Sequence, residues 1–479
     1  MAATRSDPGS GVVPAPETRR LARGALSSVD VAVSTMANIG PAMSFFFGFG
    51  TIVAAAGVAS PLTIVAAAIA IALLGNTLTQ FSKSQPSAGS FVTFIGRTFG
   101  PWSAIVAAIV LIAGYIVAVA AVVAISGGWA HTILLKYLSI SIPWQLLTAV
   151  FCAGALYLVI SGVKPTTTVA GLFFIFEMGL LAVVAVFLLI EHGGSLNLHP
   201  FDPGRLRNGF SGLSLGFPLA VYLFVGWENS APLAEESTDP RSNVGKAVFS
   251  SVALMAFTYI LLAYVTMVAF HENVKSIAGS SVPYVDAAQS VAGALAFFAY
   301  LAGFTSIIGS LLAATNSQSR IIFSSAREGL LPSPIASVTE RTRTPWASLV
   351  VYVVLALGLT YVFGWSTDPV TFFGEIATLG TILIALIYLV ANVALPFYYR
   401  RFHRDEFSPV RHLLLPALGA LAIGYPLYEL VKPGQPPPFS RYPLIAAGVL
   451  VVAAVYGAFL NRRDRTLGER IGSVIADAD

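Results

Sequence analysis

Read from the N-terminus, the chain is a succession of long apolar runs set apart by short polar connections. A run of about 20 apolar residues is enough to cross a bilayer as a helix. On that measure the pattern predicts twelve helical spans, roughly 26–49, 58–81, 101–129, 144–162, 167–191, 212–236, 244–270, 294–322, 346–364, 370–397, 411–431 and 440–460. Two spans are interrupted in their own middles. Span 1 carries Asn38-Ile39-Gly40-Pro41-Ala42-Met43-Ser44, and span 6 carries Val225-Gly226-Trp227-Glu228-Asn229-Ser230. Pro41 has no N–H to donate, and Gly40 and Gly226 ease departure from the helix. Irregular backbone at membrane depth persists only where protein buries it or a cavity adjoins it. A matched pair of such breaks is the sequence pointer to a transporter's binding site.

The breaks fall in spans 1 and 6, five helices apart, and five is odd. A five-helix repeat must therefore insert upside down relative to its twin, which predicts an inverted 5+5 architecture. The domains follow: a disordered cytoplasmic arm (1–24), a first repeat (25–191), an inverted second repeat (212–397), two appended helices (411–460) and a cytoplasmic tail (461–479). A 6+6 arrangement would want a long link between spans 6 and 7, and that link is short, at about residues 237–243. The Pro-rich loop 432–443 reads as an extracellular rigid spacer.

Composition changes the picture only by excluding a water-soluble globule: 56% of the 479 residues are hydrophobic and 10% charged. Charge placement says more. With the N-terminus inside, the cytoplasmic segments hold 21 of the 27 Lys+Arg, and the outside keeps Lys136, Arg205, Arg207, Lys275, Lys432 and Arg441. That alternation obeys the positive-inside rule and predicts a multi-pass protein of the cytoplasmic (plasma) membrane with both termini cytoplasmic. The basic patches face anionic lipid, with no nucleic-acid module behind them. The arm has no apolar core that would make it a cleaved signal. Trp102, Trp129, Trp144, Trp346 and Trp365 fall at span ends, whereas Trp227 sits deep beside the second break. The single cysteine, Cys152, permits no intrachain disulfide.

A half-helix restarting after Pro41 presents free N–H groups at Ala42, Met43 and Ser44, and with them the positive end of a dipole. A substrate carboxylate would dock there on backbone alone. The carbonyls near Ile39, with those of Leu223, Phe224 and Val225 in span 6, suit an ammonium group, and Asn229 and Ser230 are expected to begin the next half-helix. The candidate substrate site is therefore Ile39, Gly40, Ala42, Met43, Ser44, Phe224, Val225, Gly226, Trp227 and Glu228. A single Gly-Pro kink is more often a packing device; the pair in equivalent positions argues for a site.

Acids inside the spans come next, because each costs about 2.5–3.5 kcal/mol at mid-membrane and so marks function. Glu228 flanks the second break, Glu177 lies mid-span 5, and Glu375 sits in the outer third of span 10. Asp30 and Glu429 lie near span ends, where capping or solvation accounts for them. No Lys, Arg or His lies mid-span to neutralise Glu177 or Glu228. Burial disfavours the charged form of a carboxyl, and a carboxyl that titrates is what a proton-coupled carrier needs; Glu177 and Glu228 are the coupling candidates. A protonated glutamic acid bonded to a carbonyl is the plainer reading of each. Sodium is the weaker alternative, with Thr305, Ser306 and Ser310 as hydroxyl ligands, although small residues with hydroxyls more often form a packing face. No other metal, no cofactor and no nucleophile–base set is indicated, so no enzyme is expected.

At these residues the chain resembles the amino acid–polyamine–organocation (APC) superfamily. The likeness covers about residues 25–460 and rests on four stretches: Pro86-Ser87-Ala88-Gly89-Ser90; Phe224-Val225-Gly226-Trp227-Glu228 with Glu235-Glu236-Ser237-Thr238-Asp239-Pro240-Arg241; Arg320 with Ala326-Arg327-Glu328-Gly329-Leu330-Leu331-Pro332; and Gly162-Val163-Lys164. The resemblance implies an all-α LeuT-type fold, amino acid or amine substrates, and site walls from spans 1, 3, 6, 8 and 10. Gly40, Ala42, Met43, Ser44, Phe224, Trp227 and Glu228 would line that site. Several proton-coupled members carry a lysine fifteen positions after the glycine that Gly162 matches; here that position is Glu177. The glycine-dense motif of span 1 is also thinner. The expected activity is secondary active transport by alternating access, as proton symport, with substrate exchange as the alternative. A non-transporting amino-acid sensor is the rival of another class, and the short tails supply no signalling domain for it.

Overall fold

Glycines, prolines and caps divide the apolar runs into seventeen α-helices. The computed structural model describes residues 20–464 and 466–472, and among them no β-strand occurs. The helices are α1 (Ser28–Ile39), α2 (Pro41–Ala56), α3 (Ser60–Ser84), α4 (Phe91–Phe99), α5 (Pro101–Leu138), α6 (Trp144–Ile160), α7 (Val163–Glu191), α8 (Phe210–Tyr222) and α9 (Pro240–Ala269). They continue as α10 (Val274–Gly279), α11 (Pro283–Val291), α12 (Gly293–Arg327), α13 (Trp346–Gly364), α14 (Pro369–Phe402), α15 (Leu415–Val431), α16 (Tyr442–Arg463) and α17 (Leu467–Arg470). Several start on a proline at the first or second position, where its missing N–H has no intrahelical partner to lose. Asp239 and Asp368 cap α9 and α14 by accepting backbone N–H bonds.

Taking α1 and α2 as one span, ten helices are long and apolar enough to cross a membrane. Spans 4 and 6 of the sequence reading correspond to shorter apolar helices, α6 with 17 residues and α8 with 13. Burial is graded. The window scored in α1–α2 is 78% buried, whereas α15 and α16 are 28% and 17% buried. The outer helices instead expose large apolar side chains such as Tyr157, Phe210, Leu444 and Val452. A surface of that kind needs an apolar surrounding, and the protein is a membrane protein.

Three connections differ from their expected roles. The loop 432–443 is more than a spacer: it closes over a cavity of about 500 Å³ whose walls include Phe47, Thr51, Tyr222, Phe373 and Phe439, with Lys432 at its edge. The expected disordered arm lies outside the described residues up to 19, but the end of it is ordered. Leu21 and Leu26 are buried, and Leu26 exchanges backbone bonds with Glu236 and Thr238, both 2.9 Å. The tail also packs. Leu467 and Ile471 are buried, the Gly472 N–H donates to Glu328 Oε1 (3.1 Å), and Gln85 Nε2 donates to the Gly472 carbonyl (3.0 Å).

Candidate functional site

Helix α1 stops because Gly40 takes a left-handed conformation (φ 61°), and α2 restarts on Pro41. The head of α2 then presents three N–H groups, and each is met by the chain itself. Ala42 N–H donates to Glu177 Oε1 (3.2 Å), Met43 N–H to Ser306 Oγ (3.1 Å), and Ser44 N–H to the Gly40 carbonyl (2.8 Å). The carbonyls ending α1 are engaged likewise: Ser310 Oγ donates to Asn38 O (2.9 Å) and Ser44 Oγ to Ile39 O (2.7 Å). Glu177 on α7 and Ser306 and Ser310 on α12 thus stitch the first break shut. Thr305, the other hydroxyl weighed for sodium, bonds only carbonyls of its own helix, Leu301 and Ala302.

The second break is built differently from expectation. No α-helical half begins at Asn229-Ser230. From Phe224 to Ser237 the chain runs in successive i→i+3 turns, ending in a 3-10 turn over Ala234–Glu236 before α9. The physical reasons are Gly226, at φ 106°, and Pro232, which cannot donate to a continuing helix. Nor are the carbonyls before the break all free: Tyr259 Oη donates to Leu223 O (2.7 Å), and Phe224 O accepts from the Trp227 N–H (3.1 Å). Val225 N–H bonds Tyr222 O (3.0 Å).

The two breaks touch. Asn38 Nδ2 donates to Gly226 O (3.4 Å), and a Cβ added at Gly226 would lie 2.7 Å from that Nδ2. Glu228 turns its carboxyl back on the turn, accepting from Gly226 N–H (3.2 Å) and from Tyr115 Oη on α5 (2.9 Å). Trp227 is fully buried, edge-on to Tyr388 of α14 at 5.4 Å between ring centres, and its indole N–H has no partner among the described residues. Phe224 packs edge-on against Tyr259 at 5.2 Å. Asn229 bonds Ser34 (3.3 Å) and Ser317. Glu177 and Glu228 are both 1% exposed, and neither forms an ion pair among the described residues. Glu375 lies near the start of α14, and Asp30 and Glu429 form surface pairs with Lys164 (2.5 Å) and Lys432 (2.6 Å).

Where the 3-10 turn Ala234–Glu236 meets the end of α12, three of the four sequence stretches that carry the family resemblance converge. Glu235 takes both terminal nitrogens of Arg327 (2.8 and 2.6 Å) and the Ala88 N–H (3.1 Å), tying the loop after α3 to the end of α12. Glu236 takes Arg320, which also donates to Asn316 Oδ1 (3.0 Å). The signatures are thus parts of one buried ion-pair cluster.

Comparison with known proteins agrees with those signatures: residues 25–455 match the family model described as amino acid permease. The chain belongs to the amino acid permease family. A branched-chain amino acid permease of Bacillus subtilis (strain 168) is 24% identical over 419 residues, covering 83% of this chain and 85% of that relative. A methylthioribose transporter from the same organism is 25% identical over 424 residues, with 84% and 87% covered. Mouse Asc-type amino acid transporter 1 is 31% identical over a shorter stretch of 156 residues, 31% of this chain and 29% of its own length.

Within this permease, sequence reasoning placed ten residues around the breaks and omitted those that hold them. Tyr115, Tyr259, Tyr388 and Asn38 are the chief omissions. Tyr115 had a readable signal, as the lone aromatic residue in the aliphatic stretch 103–128. Tyr388 had the same signal, as the lone aromatic residue in the stretch 374–396, whereas Tyr259 had none, because aromatic residues recur along its helix.

Proposed function

We propose that this permease is a secondary active transporter that carries amino acids or related amines across the cytoplasmic membrane by alternating access, coupled to protons as a symporter. The observation that carries the reading is the contact between two interrupted spans at mid-chain depth, Asn38 to Gly226, flanked by two buried carboxyls that lack a cationic partner. The topology proposed with it has twelve crossings, an inverted 5+5 repeat, two appended helices and both termini cytoplasmic. Substrate would bind among Ile39, Gly40, Ala42, Met43, Ser44, Phe224, Val225, Gly226, Trp227 and Glu228. Glu177 and Glu228 would carry the coupled proton, since a buried carboxyl without a counter-charge exchanges its proton as its surroundings change. Ser306 and Ser310 already serve the backbone of the break, and this favours the proton over sodium.

Uptake into proteoliposomes tests this directly. An inward proton gradient should drive labelled amino acid or amine uphill, a sodium gradient should not, and Glu177→Gln and Glu228→Gln should each abolish the proton-driven accumulation. Flux that requires only substrate inside would replace symport with exchange. Absence of flux across the whole panel would move the sensor reading forward.

A further inference from the structure

The head of α2 is the one place in the proposed site where backbone alone could hold a carboxylate, and a carboxyl of the chain is already there. Glu177 Oε1 accepts the first N–H that Pro41 leaves available, that of Ala42, while Ser306 takes the next. This holds in either protonation state, because the carbonyl oxygen of a neutral acid accepts the same bond. At the second break the Gly226 N–H is likewise taken by a glutamate, Glu228. A free substrate carboxylate would have to displace an acid from a buried donor and then remain beside it. With Glu177 ionised the two carboxylates repel strongly in a low-dielectric site, and with Glu177 neutral the substrate carboxylate is buried there without a cation. An ammonium group meets the opposite situation, two buried acids and no Lys or Arg paired with either among the described residues. The remaining groups around Glu177 are neutral: Ser306 on α12 and the Tyr259 phenol on α9.

We propose that Glu177 stands in for a substrate carboxylate at the head of α2, and so makes this permease select amines that carry no acid group over the amino acids they correspond to. The proposal rests on the two breaks being the transport site. Glu177 is a specificity-determining residue in this account: removing its carboxyl should return the Ala42 N–H to the ligand.

The test uses matched pairs that differ by one carboxyl: isopentylamine and leucine, phenethylamine and phenylalanine, putrescine and ornithine. Initial uptake rates are measured over a concentration series with the full-length permease in proteoliposomes. In the wild type, kcat/KM should favour the amine of the accepted pair by tenfold or more. Glu177→Ala should move the ratio at least tenfold toward the amino acid, and Glu177→Gln, which keeps an acceptor but no acid, should lie between. A wild-type preference for the amino acid overturns the proposal while leaving the transport reading intact, and that arm needs no variant. An unchanged ratio in a well-folded Glu177→Ala protein overturns it as well. Uptake of neither member of any pair removes the transport reading, and the proposal with it.

Discussion

Four buried glutamates distinguish the two helix breaks from the ion-pair cluster at the end of α12. Glu235 and Glu236 are buried against Arg327 and Arg320, each carboxyl matched by a guanidinium fork. Glu177 and Glu228 are buried just as completely, yet they accept only from neutral donors, the Ala42 and Gly226 N–H groups and the Tyr115 hydroxyl. The same side chain is a fixed post in one region and an uncompensated acid in the other. A buried charge with its partner has little reason to change state; one without a partner gains from a proton or a cation. The ion-pair cluster is thus electrostatically compensated, and the breaks are not.

Breaking the ion-pair cluster should have the largest effect. Arg320→Ala leaves the Glu236 carboxyl buried and alone, a change worth about 3–5 kcal/mol. The expected result is loss of monodisperse protein in detergent chromatography, partly restored by adding Glu236→Leu, which removes the orphaned acid. If Arg320→Ala alone is as stable as the wild type, the pair is not a structural post. At the breaks, Gly226→Ala should lower stability by about 1–3 kcal/mol through its left-handed φ and the Asn38 contact. It should cut uptake more than stability predicts, because it forces the two breaks apart. Thermal unfolding and uptake on the same preparation separate those effects. Tyr115→Phe is smaller: losing a bond to a buried acid is worth about 1–3 kcal/mol at most. It should shift the apparent KM without changing the folded yield, and an unaltered KM would detach Tyr115 from the site.

The contrast was half legible in the sequence. Gly40, Pro41 and Gly226 announced the breaks because they recur in equivalent positions of two apolar spans, which packing alone does not explain, and Glu177 stood out as an acid in an apolar helix. What the sequence could not supply was the pairing across 135 positions that brings Glu177 to Ala42. Helix periodicity fixes a face, not the neighbour it meets. The turns after Gly226 run against the half-helix expected at Asn229 and Ser230, and Pro232, three residues beyond Asn229, is the residue in the sequence that opposes it. The docking of the tail was not legible because the spacing of its apolar residues fixes a face and not the Glu328 and Gln85 side chains that Gly472 meets.

That tail supplies the gentlest test, beside the ion-pair cluster. The Glu328 carboxyl follows the end of α12 and accepts the Gly472 N–H, and burial pushes it up to about 7 from 4.5 against the pull of Arg327, the Gly472 N–H and Arg97; Glu235 adds to the rise. If undocking the tail hydrates Glu328, the docked form binds the proton more tightly than the undocked one. Docking is then fully favoured below pH 4.5 and weakens as pH rises through 7. Hydrogen exchange at residues 466–472, corrected for the intrinsic rate and measured in nanodiscs, should show more protection at pH 5.5 than at pH 8. Glu328→Gln keeps an acceptor for Gly472 and cannot ionise, so its protection should be the same at both. A wild type with equal protection at the two pH values would place Glu328 with Glu235 and Glu236, as an acid fixed by its guanidinium neighbours, and docking of residues 466–472 would then not depend on the Glu328 proton.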